Sequence, residues 1–163
     1  KTKYDFSAKV TKSMTLYAAW AEKKTDNSKN QIILTIGKKD ASVFGKIKTN
    51  DVAPKIINDR TMLPARFVAE SLGAVVEWDG DKQLVTITGK NLKTNEDVTI
   101  LITIGAEYAV VNGENVKLDS PAFIENDRTY TPIRFISEHL GASVEWDEKE
   151  QQVIITKILS AEK

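Results

Sequence analysis

The second half of this chain repeats the first. Residues 31–88 align with residues 99–156 at an offset of 68 without a gap, and 28 of 58 positions are identical. The densest block runs from Asn58-Asp59-Arg60-Thr61 through Pro64, Arg66-Phe67, Glu70 and Leu72-Gly73-Ala74 to Val76-Glu77-Trp78-Asp79. Its partner runs from Asn126-Asp127-Arg128-Thr129 through Pro132, Arg134-Phe135, Glu138 and Leu140-Gly141-Ala142 to Val144-Glu145-Trp146-Asp147. A fold for this chain must therefore place two copies of one supersecondary unit.

The unit reads as strands around one short helix. Ile32 to Ile36 is β-branched and apolar on both faces, the pattern of a covered strand. Asn112-Gly113 between Tyr108–Val111 and Glu114–Leu118 is a strong hairpin signal. Asn58-Asp59-Arg60 reads as another tight turn. Pro64 suits the first turn of a helix, where its missing N–H is not needed. Phe67, Val68 and Leu72 follow at helical spacing, and Gly73 supplies a left-handed stop. Val75–Trp78 and Leu84–Thr88 then form a closing hairpin. A helix of two to three turns does not stand alone in water and needs a sheet beneath it. The expected fold is α+β: a duplicated unit of short, mainly antiparallel strands with one short helix per repeat.

Three segments are expected: residues 1–22, a polar linker over 23–30, and one domain over 31–163 made of repeats 31–98 and 99–163. Charge differs between them. Residues 1–30 carry seven basic and three acidic groups, residues 31–98 ten and nine, and residues 99–163 six and eleven, although the whole chain is neutral. No dense basic stripe is present, so nucleic acid is not expected as a partner. No apolar run in this stretch is long enough to span a membrane. The first residue is Lys, which points to a fragment or processed chain, so the lack of a signal peptide says nothing about export.

The long motif N-D-R-T-x-x-P-x-R-F-x-x-E-x-L-G-A-x-V-E-W-D resembles the copper amine oxidase N-terminal domain family over about residues 31–157. The resemblance implies an antiparallel sheet wrapped around helix, set apart from catalytic machinery and common in exported proteins of Gram-positive bacteria. Residues 1–22 resemble something else. Tyr4-Asp5-Phe6-Ser7, Val10-Thr11 and Met14 to Trp20 look like the last strands of a Listeria–Bacteroides-type β-grasp repeat.

Catalysis is not implied. The oxidase chemistry that the family name suggests needs three His ligands and a Tyr-derived quinone. This chain has one histidine, His139, and no cysteine, so no cofactor or metal site and no enzymatic activity are expected. Asp79-Gly80-Asp81 faintly matches a calcium loop but lacks the other ligands. His139 reads as a helix-end residue suited to the dipole.

The expected function is a non-catalytic stalk or assembly module of a bacterial surface protein, extracellular and at the cell wall. The alternative is a module that binds cell-wall glycan or another polysaccharide. Another surface protein is a further candidate partner, as is a second copy joined head-to-tail through residues 4–20, since this segment with its linker is basic and the second repeat acidic. Trp78, Trp146, Arg66 and Arg134 are the candidate ligand platform. Their structural reading is different: each Trp buried against its own helix, and each Arg paired with the Glu four residues on, or else pinning Glu77 or Glu145 or strand carbonyls through its planar fork. Exposed aromatics in a polar groove would mark a binding module, and buried aromatics a stalk.

Overall fold

The structure, a computed structural model, describes residues 27–158. Residues 1–22, with their β-grasp resemblance and the assembly segment 4–20, lie outside the described residues. The last four residues of the polar linker, Asn27–Asn30, form a 3-10 turn, and the Asn30 carbonyl accepts from the Lys157 N–H at 2.8 Å.

In the first repeat the elements are β1 (Gln31–Thr35), β2 (Asp40–Val43), β3 (Lys46–Thr49), β4 (Lys55–Ile57), β5 (Arg60–Pro64), α1 (Ala65–Ser71), β6 (Val75–Asp79) and β7 (Leu84–Lys90). In the second they are β8 (Asp97–Thr103), β9 (Tyr108–Val111), β10 (Glu114–Lys117), β11 (Phe123–Glu125), β12 (Arg128–Pro132), α2 (Ile133–His139), β13 (Ser143–Asp147) and β14 (Gln152–Thr156). The order of elements thus recurs. Among the described residues strands dominate, all strand pairings are antiparallel, and each repeat has one short α-helix. The α+β expectation holds, with the balance towards β.

The repeats do not form separate lobes. One sheet runs β13-β14-β1-β2-β3, the second β10-β9-β8-β7-β6, and the third β11-β12-β5-β4. Each sheet therefore takes strands from both repeats. Gln31 pairs with Thr156 where β1 meets β14, and Leu84 pairs with Thr103 where β7 meets β8. In the third sheet Leu63 faces Thr131, its own counterpart 68 residues on, so an approximate two-fold axis passes beside this pair.

Local chemistry explains the turns. Asn58 and Asp59, like Asn126 and Asp127, all have φ near +50 to +57, the double left-handed conformation of a two-residue primed hairpin. The turn is thus shorter than the three residues expected. Arg60 and Arg128 already belong to the following strands. Pro64 and Pro132 are the last residues of β5 and β12 rather than interior helix residues, and they cap α1 and α2 without a side-chain hydrogen bond. Gly73 and Gly141 take φ of +94 and +84 just past the helix ends, as the left-handed stop requires.

The core lies between the sheets and the helix pair. Ile32, Leu34, Met62, Leu63, Ile87, Ile100, Ile102, Ile136, Leu140 and Ile155 are fully buried. β1 buries Ile32 and Leu34 on one face while the other is half-buried, so it is less covered than its apolar run implied. Each seven-residue helix is too short for independent stability. Both are held by burial of Val68 and Ala69 in α1 and of Ile133, Phe135 and Ile136 in α2. The loop joining the repeats docks on the end of α2: the Leu92 N–H donates to the Leu140 carbonyl at 2.9 Å, and Asn91 Nδ2 to the His139 carbonyl at 3.3 Å.

Candidate functional site

Val76 and Trp78 project from the same face of β6, because side chains alternate along a strand. Val76 is buried but Trp78 is 42% exposed; in the second repeat Trp146 is 39% exposed. The expected burial of both tryptophans against their helices is therefore incorrect. The reason is position: each indole lines a groove between its own helix and the other repeat's hairpin, so only part of its surface is covered.

Each exposed indole lies in a groove. The first has a volume of about 640 Å³ and brings Arg66 and Phe67 of α1 together with Trp78. Its opposite wall comes from the other repeat: Ile124, Asp127, Arg128 and Thr129 of the β11–β12 hairpin. The second groove, about 550 Å³, joins Arg134 and Trp146 to Ile56, Asp59, Arg60 and Thr61 of the β4–β5 hairpin. Every residue lining the second groove has its counterpart, 68 positions away, in the first, and Thr49, Asn50, Phe67 and Glu70 line the first alone. The structure thus unites Trp78 with Arg66 and Trp146 with Arg134, and keeps the two pairs in different grooves.

Every groove arginine is paired. Arg66 Nη1 lies 3.0 Å from Glu70 Oε1, and Arg134 Nη1 lies 3.2 Å from Glu138 Oε1, the spacing expected from the helix. Arg134 also donates to the Val144 carbonyl of β13 at 3.0 Å, so it pins a strand as well. Across the repeats, Arg128 Nη2 stands 3.0 Å from Asp51 Oδ2 and Arg60 Nε 3.3 Å from Asp119 Oδ2. Arg128 and Arg60 each donate Nη1 to the carbonyl of the preceding residue, at 3.2 Å in both cases. Exposed pairs of this kind stabilise by about 0–1 kcal/mol each. Their larger effect is to fix planar donors and acceptors beside an indole face.

The grooves differ at a few positions. Asn50 lies in the first where the buried Leu118 stands in the other copy, and Ala65 in the first corresponds to Ile133 in the second. The cross-repeat residues Asp51, Asp119, Arg60 and Arg128 were missed as site candidates. The N-D-R-T block carried the signal, since it places an Arg at the first strand position after the turn.

The other candidates have structural partners. His139 Nδ1 is 2.8 Å from the Phe135 carbonyl, and its ring lies against Phe135 with centroids 4.3 Å apart. The Asp79 carboxylate accepts from the Lys82 backbone N–H at 3.1 Å and sits 2.9 Å from Lys82 Nζ. That Lys82 side-chain contact, reinforced by the backbone hydrogen bond, holds Asp79 below the usual carboxylate range. Among the described residues no three His, Cys, Asp or Glu are placed to hold a metal. With one imidazole, already against a carbonyl, the side chains do not fit a copper centre. No helix among them is long and apolar enough to cross a membrane.

Two interlocked repeats, each completing the other's aromatic groove, define an antiparallel β-rich module of the accessory kind. The chain belongs to the copper amine oxidase N-terminal domain family, whose family model matches residues 8–87 and again 88–155. In copper amine oxidases this domain is a non-catalytic region. No curated protein matches the chain.

Proposed function

We propose that this chain is a non-catalytic module of an extracellular bacterial surface protein of Gram-positive type, and that it binds glycan of the cell wall or another polysaccharide. The observation that carries this reading is the exposure of Trp78 and Trp146, each in a groove beside paired Arg and carboxylate groups. An indole face packs on the apolar face of a sugar ring, and planar polar side chains hydrogen-bond neighbouring hydroxyls. A purely structural stalk has no need to leave its two recurrent tryptophans open.

The test is retention of the purified chain on peptidoglycan and insoluble polysaccharides. Wild type is expected to be retained, and Trp78→Ala with Trp146→Ala together should release it. Equal retention of wild type and double variant would refute the reading. The proposed lack of activity has its own check: after dialysis against cupric ion, the chain should retain no stoichiometric copper and oxidise no amine.

One observation favours a companion role in assembly. Among the described residues β10 is a sheet edge in the acidic second repeat, with Glu114 and Lys117 both exposed, and such an edge can take a strand from residues 4–20 of a second copy. Sedimentation of the chain with and without residues 1–24 checks this. Monomers at all concentrations and salts would end it.

A further inference from the structure

The charge arrangement narrows the ligand class, resting on the glycan reading above. We infer that both grooves are built for a neutral polysaccharide and discriminate against anionic ones such as polyuronates or phosphate-bearing wall polymers.

Anionic polymers are ordinarily held by guanidinium groups free to accept a bidentate carboxylate or phosphate. Here none is free. In the first groove Arg66 faces Glu70 and Arg128 faces Asp51; in the second Arg134 faces Glu138 and Arg60 faces Asp119. Two of these arginines are also tied to backbone carbonyls of the turn before them. Asp127 in the first lining and Asp59 in the second add a carboxylate that makes no ion pair among the described residues. An anion entering either groove would have to displace a carboxylate and approach another. Each pair is weak because it is exposed, so exclusion of anions takes the occupied guanidinium and the added carboxylate together.

A paired guanidinium and carboxylate present donors and acceptors side by side with no net charge. Vicinal hydroxyls of an uncharged sugar match that array, and the adjacent indole supplies the stacking face. The same arrangement in both grooves allows one polymer or two to be held by identical chemistry.

Affinity electrophoresis of the full chain tests this, with gels containing glycol chitin or a mixed-linkage β-glucan as neutral probes. Polygalacturonate and lipoteichoic acid are the anionic probes, and chitosan the cationic one. The expected result is retardation by a neutral probe that changes less than about twofold between low and high salt, with no retardation by the anionic probes. The variant Asp51→Asn/Glu70→Gln frees Arg128 and Arg66; it should gain salt-sensitive retardation by polygalacturonate. Retardation of wild type by an anionic probe, or preference for chitosan, would overturn the inference while leaving a glycan-binding role intact. Retardation by none of the probes would overturn both. A double variant that gains no anion binding, although its circular dichroism is unchanged, would show that the pairing does not set the selectivity.

Discussion

Arg128 Nη2 stands 3.0 Å from Asp51 Oδ2, and the two residues belong to different repeats. The same contact recurs between Arg60 and Asp119. Each repeat thus supplies a hairpin that closes the groove beside the other repeat's tryptophan. Together with the shared sheets, this makes the two copies one physical unit.

Because all three sheets mix strands of both repeats, unfolding should be a single cooperative transition. Urea denaturation followed by tryptophan fluorescence and by far-UV circular dichroism should give coincident midpoints. Two separated transitions would mean that the repeats are autonomous.

The exposed tryptophans should contribute less to stability than core aromatics do. Truncating a buried Phe or Trp to Ala costs about 3–5 kcal/mol. With Trp78 and Trp146 each about two-fifths exposed, each Ala variant should lose less than about 2 kcal/mol in urea unfolding. A loss in the core range would return the residues to a packing role.

Gly73→Ala and Gly141→Ala separate backbone strain from packing. Both glycines have positive φ, so each substitution carries a left-handed penalty of about 1 kcal/mol. A Cβ on Gly73 meets nothing within 4 Å, whereas one on Gly141 would lie 2.5 Å from Asn91 Oδ1 and 2.8 Å from the Leu92 nitrogen. Gly141→Ala should therefore cost at least about 1 kcal/mol more, since the docked loop must move. Equal losses would show that the loop shifts freely.

Ser137 is fully buried, its hydroxyl has no hydrogen-bond partner among the described residues, and its counterpart in the first repeat is Ala69. Leaving a buried polar group unsatisfied costs about 1–3 kcal/mol. Ser137→Ala should thus be neutral or raise stability by up to about 1 kcal/mol. A clear loss would point to a buried water or an unrecognised acceptor.

Asp79 should titrate below its ordinary value of 3.8, chiefly because of the Lys82 side-chain contact. A carboxylate with a lowered folded-state pKa adds stability above its unfolded pKa, and that contribution is lost as pH falls through the folded value. Carboxyl carbon NMR should show the Asp79 midpoint moving up towards 3.8 in Lys82→Ala. An unchanged midpoint would assign the shift to the backbone hydrogen bond.

Much of this was already legible in the chain. An offset of 68 without a gap fixed the repeat, and Asn-Gly, Asn-Asp, Pro and Gly marked turns and helix ends because those residues bias the local backbone directly. The i, i+4 pairs of Arg66 with Glu70 and Arg134 with Glu138 followed from helical periodicity alone. What periodicity could not express was partnership at a distance. That β1 pairs with β14, that Arg60 reaches Asp119, and that Trp78 lies open opposite Asp127 and Arg128 all depend on how the copies pack. Alternation along β6 put Trp78 on the same face as the buried Val76. Only the tertiary structure decided that Trp78 faces a groove between its own helix and the other repeat's hairpin, because exposure is set by how neighbouring elements are placed.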